Sequence, residues 1–149
     1  MRRNFPLLLV RIIVGIVFLT EGILKFMQPE ELGYGRFAHI GLPLPHMLAP
    51  AVGIVEIISG AAVMLNLYTG EAAVLLLGVI ITALITTKIP ILLGHSVGRF
   101  GVPRSVAHTG VLAFVHEART DLAMLFSLVA ILMDSGMHVV RPREWWQRR

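Results

Sequence analysis

Residues 5–27 read FPLLLVRIIVGIVFLTEGILKFM. Arg11, Glu21 and Lys25 are the charged residues in this run. At about 1.5 Å per residue, a helix of this length covers roughly 35 Å, enough for a hydrocarbon core about 30 Å thick. Gln28-Pro29-Glu30-Glu31 ends it. Ionised groups at bilayer depth are costly, and those that occur face a bundle interior or a wet cavity with a partner. The same conflict recurs along the chain, at Glu56, Lys88, Asp121 and Asp134, each inside a further apolar stretch. Function is to be sought at these residues.

The whole composition agrees with that first stretch. Of 149 residues, 56% are hydrophobic and 15% charged. The mean hydropathy of +0.78 is too apolar for an ordinary soluble domain of this size. With no cysteine, the chain has no disulfide framework, dithiol redox pair or thiolate metal site of its own. The formal charge of +4 is gathered mainly at the two ends, as on a protein meeting an anionic leaflet, and not in a nucleic-acid patch.

Windows of about 20 apolar residues predict four spans, at about 5–27, 47–67, 72–94 and 116–137. The expected fold is an all-α integral membrane four-helix bundle with antiparallel transmembrane helices, one domain over 1–149. Leu32 to His46, rich in Gly and Pro, reads as a loop, as does His95 to Val115, part of which is apolar enough for the interface. Tyr68-Thr69-Gly70-Glu71 reads as a tight hairpin turn, and Pro90 is expected to kink the third helix or end it early. Arg2 and Arg3 before an apolar run resemble a signal peptide. Arg11 and the length of the run argue instead for a retained span. Trp145 and Trp146, in a basic tail, suit a headgroup anchor.

Arg2, Arg3, Arg141, Arg143, Arg148 and Arg149 flank the termini, against Arg36, Arg99 and Arg104 in the long loops. Both termini are therefore expected on the cytoplasmic side. That orientation puts Glu21, Lys25, Lys88, Glu117, Arg119 and Asp121 in one outer layer, beside His116, with Glu56 nearer the midplane. On the first helix Arg11, Gly15, Glu21, Gly22 and Lys25 share an arc of roughly 120°, and Glu21 and Lys25 form an i,i+4 acid–base pair. Ala49, Gly53, Glu56 and Gly60 share a small-residue seam that points Glu56 at a neighbouring helix. Gly78, Thr82 and Thr86 form a second small stripe, with Lys88 about 100° off it.

A carboxyl near the bilayer centre either pairs with a cation or takes up a proton, and both states suit proton or ligand handling. The bland reading is that charged pairs fix register while Lys25, Lys88, Glu117 and Arg119 reach for the interface. Arg11 and Asp134 read as a structural pair or as snorkelling residues. His39, His46, His95, His108 and His116 all fall on the outer side, but their spacings match no metal-ligand pattern, so no metal site is assigned.

The ordered set Arg11-x₃-Gly15-x₂-Phe18-x₃-Gly22-x₂-Lys25, Gly41-Leu42-Pro43, Glu56-x₃-Gly60 and His116-Glu117-x-Arg119-x-Asp121 resembles the DoxX family of small four-helix bacterial membrane proteins. The resemblance runs from about Leu8 to Gly136. It departs at the C-terminal edge, where the family commonly has a Gly-rich turn and Ser-x-Asp and this chain has Asp134-Ser135-Gly136-Met137-His138. The resemblance implies a four-helix bundle in a bacterial plasma (inner) membrane. It implies association with redox systems for some members, notably a quinone-reducing thiosulfate oxidoreductase. A fold is implied more firmly than a reaction.

Three functional readings follow. The leading one is the membrane subunit of a redox-linked system, or a quinone-linked oxidoreductase subunit if the chain is an enzyme. In it a quinone or similar lipophilic ligand sits near the outer leaflet. Glu56, Glu21, Lys25 and Asp121 handle protons or the polar head, and Lys88, Glu117, Arg119 and His116 bind the ligand. The second is a non-catalytic accessory subunit whose outer loops bind a protein partner or another copy of the chain. The third is a small proton-coupled transporter, for which four spans leave little room without oligomerisation.

Overall fold

The computed structural model describes residues 5–103 and 106–135. Among them the regular structure is helical: α1 (Phe5–Met27), a short α2 (Tyr34–His39), α3 (Pro45–Leu65), α4 (Thr69–Leu93) and α5 (Val111–Asp134). An isolated bridge between Val97 and Phe100 lies in the second long connection. Three helices, α1, α3 and α4, are long and apolar enough to cross a membrane. α5 matches them in length at 24 residues and carries Glu117, Arg119 and Asp121 in its first half.

The first span begins and ends where the sequence predicts. The second starts at Pro45, whose fixed φ suits the first helical turn and whose missing N–H costs nothing there. Its end is a left-handed Asn66 with the Leu67 N–H bonded to Ala62 O at 2.9 Å, which satisfies an orphan carbonyl. The turn to α4 is therefore Asn66 to Tyr68, and α4 already starts at Thr69 instead of 72. Two further boundaries differ from the sequence reading. The loop from Leu32 to His46 contains α2, and α5 begins at Val111, after Gly110, not at His116. His116, Glu117 and Asp121 thus stand one to three turns inside the helix. The basic aromatic tail with Trp145 and Trp146, together with His138, Arg104 and the N-terminal arginines, lies outside the described residues.

α1 and α3 make the closest helix contact. Gly15 faces Gly60 and Gly22 faces Gly53, seven residues apart on each helix and in opposite order along the two helices. The contact is reciprocal. A Cβ on Gly15 would lie 2.7 Å from Gly60 O and one on Gly60 would lie 3.0 Å from Gly15 O. A Cβ on Gly22 would lie 2.7 Å from Gly53 O. Small residues let membrane helices approach to backbone contact, where dispersion and weak polar contacts replace the hydrophobic drive that lipid does not supply. The core continues from this seam through Val14, Phe18 and Val63 to Ala73, Leu76 and Ile80 of α4 and Met124, Leu128 and Ile131 of α5.

The stripe of Gly78, Thr82 and Thr86 on α4 behaves differently from the α1–α3 seam. Gly78 has nothing within 4 Å of an added Cβ, and Gly78 and Thr82 are not buried. All three residues border a cavity, and of them only Thr86 is buried. Replacing Gly22 by Leu is expected to destabilise the purified protein by on the order of 1–3 kcal/mol, by overpacking a closed seam. Gly78→Ala should leave stability unchanged or raise it by up to about 1 kcal/mol, by helix propensity. Thermal unfolding followed by intrinsic fluorescence in one detergent compares the two directly.

Candidate functional site

Bringing α1 and α3 to backbone contact also brings their charges together. Lys25 Nζ lies 2.6 Å from Glu56 Oε2, with side chains only 9% and 5% exposed. The i,i+4 pairing expected between Glu21 and Lys25 is not what forms. Lys25 approaches only the backbone carbonyl of Glu21, at 3.5 Å, and gives its short bond to the neighbouring helix. The cross-helix carboxylate wins because a buried Glu56 left without a cation would carry an uncompensated charge, while Glu21 is exposed.

Lys88 reaches the interior by a local change of helix geometry. In an uninterrupted α-helix it would stand about 100° from the buried face of Ala73, Leu76 and Ile80. Residues Leu84–Lys88 instead form a π turn, in which the Ile89 N–H bonds back to Leu84 O. The turn takes in one extra residue, equivalent to a lag of roughly 100°. Lys88 is thereby buried and lies 3.3 Å from Asp121 Oδ2 of α5. Pro90 has no N–H to offer the next carbonyl, so the distortion sits before it and the helix runs on to Leu93. Thr86 and Thr87 hydroxyls, bonded to the carbonyls of Thr82 and Ala83, accompany the turn.

Both ion pairs border one cavity of about 610 Å³. Of the residues singled out from the sequence, Glu21, Lys25, Glu56, Lys88, Glu117 and Asp121 line it. Arg119 and His116 do not: both are exposed, and the Arg119 guanidinium donates to the His116 carbonyl on the same helix. Sequence reading misses Arg36, Thr87 and Thr120, which also line it. Arg36 falls in a predicted loop; its presence in the short run Tyr34-Gly35-Arg36-Phe37, next to the charged layer, is the available signal. That run is α2, whose Phe37 is buried and which packs on α3 beside the cavity.

α2 is tethered by Tyr34, whose hydroxyl donates to Glu30 and whose ring lies 4.2 Å from that of His46, centroid to centroid. At the other end of the molecule Arg11 Nη2 bonds Asp134 Oδ2 at 3.2 Å, the structural pair read from the sequence. None of the histidines at 39, 46, 95, 108 and 116 is buried, and among the described residues no three His, Asp or Glu side chains are grouped as a metal site requires.

The sequence model of DoxX matches residues 6–89, a stretch that includes Lys25, Glu56 and Lys88. The chain belongs to the DoxX family. It is 44% identical over 123 residues to an uncharacterized membrane protein of Mycobacterium tuberculosis, covering 83% of this chain and 71% of that one. It is 36% identical over 91 residues to a Bacillus subtilis protein named "Putative oxidoreductase CatD", covering 60% of this chain and 66% of that one. No solved structure matches the chain. The match to DoxX ends before α5, so Asp121 enters the cavity on the geometry alone.

Two outcomes follow from the site's electrostatics. Lys25→Met should cost on the order of 3–5 kcal/mol by stranding a buried carboxylate, and Lys25→Met with Glu56→Met should recover most of it; thermal unfolding of the two variants beside the parent measures this. The bond to Glu30, with a small contribution from burial, raises the Tyr34 phenol above its ordinary 10.0. A raised phenol pKa favours the protonated fold, so the tether is intact below about pH 10 and is lost as pH rises through the higher folded value. In a Tyr68→Phe background, which leaves Tyr34 as the only tyrosine, absorbance titration should show Glu30→Gln shifting the phenol down.

Proposed function

We propose that this chain is a single four-span domain of the bacterial plasma membrane, with antiparallel helices and both termini cytoplasmic. In this reading it is the membrane subunit of a redox-linked system whose cavity takes a quinone-like lipophilic ring near the outer leaflet. The observation that carries it is a cavity of about 610 Å³ bordered by two cation–carboxylate pairs within otherwise apolar helices. Its volume lies in the usual range for a small-molecule site, roughly 300–1,000 Å³. Its walls include Val17, Phe18, Leu75, Val79 and Met124, which suit a flat apolar ring. α5 counts as the fourth span because Asp121 meets Lys88 and Glu117 faces the cavity, which removes much of the penalty of its charges. The name of the Bacillus subtilis relative supports a redox class.

When bound, such a ring supplies two-electron, two-proton chemistry. The chain's own part is to orient a ring oxygen and exchange a proton with it. Glu56 is the proton carrier, because it is a carboxyl at the cavity wall whose charge is matched by a single ammonium group at 2.6 Å. Lys25 holds that carboxylate in place, and Lys88 with Asp121 forms a second such pair on the α4–α5 side. Glu21, exposed, and Glu117, half-buried, line the same cavity. A protein partner that delivers or accepts electrons completes the system.

Protein purified from native membranes in mild detergent should retain extractable isoprenoid quinone. Glu56→Gln, which preserves shape, should lower quinol-linked electron transfer by about tenfold or more, the equivalent of roughly 1.4 kcal/mol. Absence of quinone from the extract together with an unaffected Glu56→Gln variant would reject the reading.

A further inference from the structure

Three threonines on α4 line the cavity, and all three have committed their hydroxyl protons elsewhere. Thr82 Oγ1 donates to Gly78 O at 2.8 Å, Thr86 Oγ1 to Thr82 O at 2.8 Å and Thr87 Oγ1 to Ala83 O at 2.6 Å. A hydroxyl carries one proton and two lone pairs, so towards the cavity each of these oxygens can only accept. Thr86 and Thr87 are buried side by side with Lys88. A regular α-helix spreads three consecutive residues over roughly 200°, and the π turn narrows that spread. Glu21 and Glu117 add carboxylate acceptors to the same lining. The ammonium groups of Lys25 and Lys88 each face a carboxylate. Their remaining protons, the Arg36 guanidinium and the Thr120 hydroxyl are the donors that offset this balance.

We infer that the α4 wall selects a ligand head that donates hydrogen bonds. Resting on the site reading proposed above, this means that the reduced, dihydroxy form of the lipophilic ring is held more tightly than its dicarbonyl form. A carbonyl oxygen set against the buried Thr86 and Thr87 puts acceptor against acceptor and gains no hydrogen bond from either. A ring hydroxyl brings the missing proton. The lysine protons allow both forms to enter, so the discrimination is one of degree.

The test compares tetramethyl-1,4-benzoquinone with its hydroquinone, by anaerobic equilibrium dialysis against the full chain in lipid nanodiscs. The hydroquinone should bind on the order of tenfold more tightly. Thr86→Val with Thr87→Val should bring the ratio close to one chiefly by weakening hydroquinone binding, and Thr86→Ser with Thr87→Ser, which restores the oxygens, should recover it. If both ligands bind and the quinone is held equally or more tightly, the inference is overturned while the ring-binding site stands. It is likewise overturned if the valine pair leaves the ratio unchanged. If neither ligand binds, the site reading fails and takes the inference with it.

Discussion

A buried carboxylate on α3 that must meet a cation organises this molecule. Lys25 and Glu56 touch at 2.6 Å with almost no exposed surface, and neither charge is tolerable alone among apolar helices. The contact requires α1 and α3 to lie at backbone distance, which the paired glycines at 15, 22, 53 and 60 permit. The seam and the ion pair are therefore one device: small residues set the separation, and the charges select the rotation of each helix.

The second pair obeys the same requirement by other means. α4 packs its buried stripe on the core shared with α5, and a regular helix would leave Lys88 off that stripe. The π turn at Leu84–Lys88 resolves the conflict at the expense of regular hydrogen bonding, and brings Lys88 to Asp121. π turns recur at functional sites because a helix keeps them only when something outside the helix compensates. Here the compensation is an ion pair at the edge of a cavity. Among its lining residues are Thr82, Thr86 and Thr87, whose hydroxyls donate to carbonyls of their own helix.

The result is a scaffold with two unlike ends. At one, Arg11 and Asp134 tie α1 to α5 near the close of the last helix. At the other, the Lys25–Glu56 pair of α1 and α3 and the Lys88–Asp121 pair of α4 and α5 border one cavity, and α2, tethered through Tyr34 to Glu30 and His46, borders it too. Tight packing in one region and a polar-edged gap in another are what a bundle needs if it is both to persist in lipid and to admit a ligand.

The apolar helical character, the bounds of α1 and the inward face of α3 with Glu56 on it are all legible in the sequence. Each follows from composition, length or the 3.6-residue period, which are local properties of the chain. Six charged residues that line the cavity can be singled out in the same way. Their pairing cannot, since Lys25 has a partner on its own helix at Glu21 and gives its short bond to Glu56 instead. The assembled fold turns Lys88 inward, through a π turn that a fixed 100° step does not anticipate. It also brings Arg36 to the cavity on a helix hidden in a Gly-rich loop, and it leaves Arg119 and His116 on the outside of α5. The physical reason is that which face of a helix turns inward depends on the neighbours that pack against it and neutralise its buried charges, and a single strand of sequence does not contain its neighbours.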